Sequence, residues 1–150
     1  MKNYTSYDLI EWGKPFEKSQ HALPEPTLSE VLIRVTAAGL CHSDLHVQKG
    51  YMDLGEEGRL TFAELGAQLP MTFGHEIAGI VEAIGDKVKN VSIGQQVIVF
   101  PWIGCGDCLA CNEDRESDCS AMRIIGLKQK GGFATHCLIE NEKFLVNIDG

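Results

Sequence analysis

The chain has 150 residues, 44% of them hydrophobic and 23% charged, with a formal charge of −8 and a pI near 5.0. That composition is of one soluble globular domain rather than a disordered segment, and the acid excess, with no Lys or Arg cluster and no basic–aromatic interleaving, excludes nucleic acid as a partner. No apolar run follows the early lysine of MKNYTSYDLIEWGK, and none reaches the roughly eighteen residues of a membrane span, so a cytoplasmic setting with reduced thiols and no membrane partner is expected.

Tyr4 to Trp12 and Phe16 to His21 read as two short strands around a turn at Gly13 to Pro15, and Pro24-Glu-Pro26 breaks regular structure. Val31, Ile33 and Val35 alternate with Leu32, Arg34 and Thr36, which predicts a half-buried strand ending near Gly39. Cys41-His-Ser-Asp44-Leu-His46 opens a short helix to about Lys49, bounded by Gly50. One thiol, two imidazoles, a hydroxyl and a carboxylate fall within that hexapeptide. A buried Cys is often only a small apolar residue and a loop His often does nothing, so alone it carries no function.

Tyr51 to Leu69 reads as an acidic excursion, a surface loop or lid with one helical turn at Phe62 to Leu65. Pro70-Met-Thr-Phe73 leads into Gly74-His75-Glu76 and then a strand from Ile77 to Ile84, with further β character at Val88, Val91 and Val97 to Phe100. The stretch CGDCLACNEDRESDC follows, with thiols at Cys105, Cys108, Cys111 and Cys119. Intervals of three, three and eight let one loop fold four sulfurs round a single ion, the spacing of a closed structural zinc site. Gly106, Asp107, Asn112 and Asp114 suit a loop, and no helix or strand pattern competes. Disulfides and a rubredoxin-like iron site remain the alternatives. Phe133 to Glu140 and Lys143 to Ile148 read as two last strands. Many short strands predict a mainly β, antiparallel, barrel-like domain.

Cys41, His75 and Glu76 are metal-ligand types at predicted strand ends, thirty-four residues apart from first to second. A catalytic zinc needs three protein ligands and one open position, and a further thiolate would complete Cys41 and His75. Cys137 is the one cysteine left over, and its alternating stretch favours a core role.

Cys41-His-Ser-Asp44 with His46, the block Gly74-His75-Glu76-Ile-Ala-Gly79 with Gly85 and Val88 beyond it, and the four-cysteine loop together resemble the zinc-dependent alcohol dehydrogenases of the medium-chain dehydrogenase/reductase superfamily. The resemblance spans nearly all of the chain but only the N-terminal half of such an enzyme. It implies a GroES-like, partly open β-barrel catalytic domain over residues 1–150, truncated before a Rossmann domain that binds NAD or NADP. It implies structural zinc on Cys105, Cys108, Cys111 and Cys119, and catalytic zinc on Cys41 and His75 with Glu76 as a transient ligand. Asp44 would orient the ring of His75. Ser43 would pass the substrate's hydroxyl proton towards His46 through the cofactor ribose, His42 would touch the cofactor pyrophosphate, and Trp102 would line the substrate pocket. The substrate would be a small alcohol or carbonyl, polyol, cinnamyl-alcohol and formaldehyde types included, and the full-length enzyme a homo-oligomer.

The chain departs from that pattern in three places. It has no GxGxxG fingerprint and no third zinc-ligand cysteine, so the fragment should be inactive alone and hold catalytic metal weakly. The Tyr51 to Leu69 excursion is longer than in many relatives and should border the active-site mouth. Gln95-Gln96 stands where an acidic residue is frequent beside Gly94. The competing reading is a non-catalytic zinc-binding GroES-like interaction module, which would have no use for Cys41, Ser43, His46, His75 and Glu76 together. A Cys41–Ser43–His46 nucleophilic arrangement leaves His75 and Glu76 unexplained.

Overall fold

The computed structural model describes residues 2–149. Its centre is a five-stranded antiparallel sheet in the order β11-β3-β7-β8-β12, formed by β3 (Val31–Gly39), β7 (Glu76–Ile84), β8 (Gln96–Val99), β11 (His136–Ile139) and β12 (Leu145–Asn147). A second sheet, ordered β2-β1-β6, contains β1 (Asn3–Leu9), β2 (Glu17–Ala22) and β6 (Met71–Thr72). The two are tied where Tyr7 N–H donates to Phe133 O at 2.8 Å and Thr135 N–H to Thr5 O at 2.8 Å. Since β2 and β12 end their sheets, the result is a partly open barrel, mainly β as expected.

The alternation read from Val31 to Val35 is realised only in part: Val31 and Ile33 meet Ile77, Val81, Val97, Val99, Ile103, Ile125 and Ile139, but Leu32 is buried as well, beside a register shift between Leu32 and Ile33. Apolar area removed from water on this face stabilises the barrel at about 25 cal/mol per Å². Cys137 is 3% exposed within the same core, and burial pushes its thiol up to about 12, so it is packing material. A smaller cluster of Leu9, Val47, Phe62, Ala67, Phe73 and Leu127, with Trp12 and Phe16 against Phe73, joins the first hairpin to helix α1 (His42–Lys49) and the excursion. Buried Asp8 accepts from Thr72 Oγ1 at 2.6 Å and lies 3.1 Å from His21 Nε2. Burial alone would raise its pKa, but the hydrogen bonds, Thr72's foremost, leave it lowered.

Several expected elements differ. The first strand ends at Leu9, because residues 10–16 turn back through Gly13 (φ +76°), and Trp12 packs on Phe73 instead. Val88 and Val91 form no strand: Glu142 accepts from the N–H groups of Lys89 at 3.1 Å and Asn90 at 2.5 Å, which removes those donors from any ladder. The excursion is a small hairpin, β4 (Tyr51–Asp53) with β5 (Arg59–Thr61), spanned by a 3₁₀ turn at Gly55–Glu57; Phe62 to Leu65 is a turn, not a helix. Two further short strands, β9 (Trp102–Ile103) and β10 (Arg123–Ile124), flank the cysteine loop. That loop, expected to lack regular structure, holds a one-turn helix α2 (Leu109–Asn112) and a 3₁₀ turn at Glu116–Asp118. The strand expected over Phe133 to Glu140 ladders with β3 only from His136. The one expected from Lys143 starts at Leu145, after a 3₁₀ turn capped by Asn141. Among the described residues no helix is long and apolar enough to cross a membrane.

Candidate metal centres

The four-cysteine loop closes on itself. The ligand sulfurs of Cys105, Cys108, Cys111 and Cys119 all lie within 4.8 Å of one another, with Cys108 and Cys111 3.5 Å apart and Cys105 and Cys111 3.9 Å apart. Tetrahedral zinc with Zn–S near 2.3 Å requires sulfur–sulfur spacings of about 3.8 Å, so the donor set and its size both fit. All six cysteines are free, and these separations are far beyond a disulfide bond. Cys119 Sγ accepts from Cys105 N–H at 3.4 Å, and that contact is the first cause holding the Cys119 thiol down to about 7. Gly104 must be glycine, since a Cβ there would run into Cys111 Sγ and Glu116. Lys143 donates to the buried Glu116 at 2.5 Å and Arg123 pairs with Glu140 at 2.5 Å, fastening the loop to the barrel wall.

The second set is assembled from distant parts of the chain. Cys41 is the N-cap of α1, whose end is set by Gly50 in the left-handed region (φ 92°). His75 precedes β7 and Glu76 begins it, and the ligand atoms of Cys41, His75 and Glu76 lie within 4.8 Å of one another. His75 is fixed from behind: Gly74 has φ +91°, and a Cβ there would meet Phe133 N at 2.9 Å. Gly126 and Gly131 press on the same point, where any Cβ would collide with the Gly74 backbone. Three chain segments therefore cross closer than side chains allow.

Asp44, 2% exposed, serves two neighbours. Its Oδ2 accepts from Cys41 N–H at 2.9 Å and its Oδ1 lies 3.5 Å from His75 Nδ1. Nε2 is thus the nitrogen left to face a metal, with the second-sphere carboxylate usual for metal-binding histidines. The hydrogen bond to Asp44 raises His75 to about 9 against the opposing effect of burial, while Ser43 holds the Cys41 thiol below its usual range. A metal ion here would replace a proton on His75 and would find a thiol disposed to ionise.

Ser43 Oγ lies 3.3 Å from His75 Nε2. His42 is exposed and its ring lies 4.8 Å from that of His46. Among the described residues no hydrogen bond joins Ser43 to His46, so any proton relay between them needs a bridging hydroxyl. Trp102, 40% exposed, stands on the wall of two openings that meet at Ser43, His75 and Pro101. One is an open cleft of about 730 Å³ along Ala37, Ala78, Ile98 and Val99. The other, of about 260 Å³, is walled by Val47, Met52, Phe62, Leu65, Ile124 and Leu127. Sequence reasoning missed Met52, Phe62 and Leu65 as site residues. Their spacing follows no helical or strand period, and the one available signal was their place between Cys41 and His75.

Comparison with known proteins gives one family. The model of the alcohol dehydrogenase GroES-like domain matches residues 27–150. An NAD-dependent alcohol dehydrogenase of Sulfurisphaera tokodaii is 40% identical over 141 residues, 93% of this chain and 39% of the relative. The crystal structure of the D-arabinose dehydrogenase from Sulfolobus solfataricus superposes with a TM-score of 0.81 at 29% identity, over 100% of this chain and 42% of that one. A cobalt- and zinc-bound thermostable alcohol dehydrogenase from Pyrobaculum aerophilum gives 0.81 at 26% identity, over 99% and 42%. The chain spans about two fifths of the length of these relatives.

Proposed function

The chain belongs to the alcohol dehydrogenase GroES-like domain family, and from that premise we propose that residues 1–150 are the catalytic-domain portion of a zinc-dependent NAD(P) alcohol dehydrogenase. The observation that carries the reading is the convergence of Cys41, His75 and Glu76 to within 4.8 Å, beside a separate four-sulfur cluster. Cys105, Cys108, Cys111 and Cys119 would hold a structural zinc, and Cys41 and His75 a catalytic one, with Glu76 in reach as an alternate ligand. Zinc at the second site would supply Lewis acidity that favours the alkoxide of a bound alcohol.

The remaining roles fall to neighbouring side chains. Asp44 keeps His75 in one tautomer and orientation. Ser43, which both donates and accepts, would take up the hydroxyl proton at Oγ while releasing its own through a bridging hydroxyl of the cofactor ribose to His46, which passes a proton to solvent. Trp102 walls the substrate, and exposed His42 meets the cofactor's phosphates. The nicotinamide nucleotide is held by chain outside these residues and approaches along the Ala78–Ile98 cleft. The whole enzyme acts in the cytoplasm as a homo-oligomer on a small alcohol or its carbonyl. A non-catalytic module would explain the four-cysteine loop but gives Asp44 no reason to stand buried behind His75.

The test is metal content. The chain saturated with zinc should carry two equivalents, and Cys41→Ser or His75→Ala should each carry one. Two equivalents in His75→Ala would overturn the reading.

A further inference from the structure

The smaller opening names the kind of alcohol. Apart from Ser43, Asp44 and His75 at its inner end and the indole N–H of Trp102, its side chains are all apolar: Val47, Met52, Phe62, Leu65, Ile124 and Leu127 with Pro101. The inner polar groups are occupied. Asp44 is engaged by Cys41 N–H and the His75 ring, and Ser43 Oγ, which lies 3.3 Å from His75 Nε2, would be released by metal on that nitrogen to serve the single reacting hydroxyl. The backbone offers little more, because the N–H groups of Ile125, Gly126 and Leu127 donate to Pro101, Gln129 and Ile124 carbonyls. Beyond the Trp102 indole N–H, a second or third hydroxyl carried into this space meets no free side-chain partner, and each hydroxyl buried unpaired weakens binding about tenfold or more.

Met52, Phe62 and Leu65 come from the excursion, the segment that lies between Cys41 and His75 in the chain. Phe62 is 5% exposed and anchored in the cluster with Leu9, Val47 and Phe73, so this wall is built in rather than folded over on demand. Resting on the alcohol dehydrogenase reading above, we infer that the excursion is a specificity element: through Met52, Phe62 and Leu65 it selects alcohols with one hydroxyl and an apolar tail, and rejects polyols and sugars. The fold alone does not dictate this, since the chain superposes equally well on a D-arabinose dehydrogenase and an alcohol dehydrogenase.

The experiment follows the methyl NMR signals of Met52, Leu65 and Leu127 in the chain held in excess zinc, titrated with 1-propanol, 1-butanol, 1-pentanol, 1-hexanol, xylitol and D-arabinose. Saturable shifts with the 1-alkanols are expected, tightening about fourfold per methylene, the ratio equivalent to about 0.8 kcal/mol, while xylitol and D-arabinose leave the signals in place. Leu65→Asn, at an exposed turn where folding is not at stake, should weaken 1-hexanol several-fold, as should Met52→Gln. Two zinc equivalents with no alkanol shift, with no dependence on tail length, or with xylitol binding as tightly as 1-hexanol would overturn the specificity assignment and leave the dehydrogenase reading standing. A chain that takes up one zinc equivalent would remove that reading itself, and the inference with it.

Discussion

The two candidate metal centres of this small barrel are built in opposite ways. The four-cysteine loop draws all its donor atoms from fifteen consecutive residues, two of them, Cys111 and Cys119, buried, and would enclose an ion within sulfur. The Cys41 centre takes one ligand from a helix cap and two from the start of a strand across the fold, and leaves one side open to the two cavities. A locally encoded site can close because the chain needs only to coil. A site assembled over distance can stay open because the barrel, not the metal, holds its ligands apart. The first should therefore contribute mainly to folding, and the second mainly to chemistry.

Substitutions can break that contrast or sharpen it. The largest effect belongs to Cys108→Ser: a structural zinc contributes on the order of 10 kcal/mol, so circular dichroism should show a protein that has lost most of its stability, and a chelator should do the same to the unaltered chain. Gly74→Ala forces a Cβ at φ +91° against the backbone of Phe133 and should cost about 2–5 kcal/mol in urea unfolding. It should also displace His75, so that one zinc is lost while the cysteine-loop zinc stays. Asp44→Asn keeps an acceptor for Cys41 N–H but loses the charge behind His75, and should weaken metal at that centre about 10–100-fold by calorimetric titration, with the four-sulfur site unchanged.

The smallest effect is a matter of pH. Lys143 is the first cause holding the Glu116 carboxyl below its usual range, against the opposing effect of burial. A carboxylate with a depressed folded-state pKa contributes stability above its unfolded pKa, near 4.3, and loses it as pH falls through the folded value. The melting-temperature advantage of the unaltered chain over Lys143→Met should thus be full at neutral pH and vanish in acid. Salt should reduce it, since the Lys143 side chain is 40% exposed.

What could be read from the sequence follows the same division. The cysteine loop was legible because spacing alone sets its geometry, and the β3 and β7 strands because Val31, Ile33 and Val35, and the run from Ile77 to Ile84, are rich in the apolar, β-branched residues that strands bury. Cys41, Ser43, Asp44, His75 and Glu76 were legible only as a motif, since nothing local says that residues so far apart will meet. The crossing of Gly74, Gly126 and Gly131, and the excursion's contribution of Met52, Phe62 and Leu65, were not legible, because both depend on which segments pack together. Val88 and Val91 misled for a related reason: their β-branched side chains pack on the core, but the neighbouring N–H groups go to Glu142, some fifty positions away.

The contrast between a closed centre and an open one is tested most directly by the kinetics with which a coloured chelator removes zinc from the saturated chain. The account predicts two equivalents in two phases, a fast one abolished by His75→Ala and a slow one that proceeds only when the thiols are modified. A single phase for both equivalents, or a fast phase that survives in His75→Ala, would contradict it.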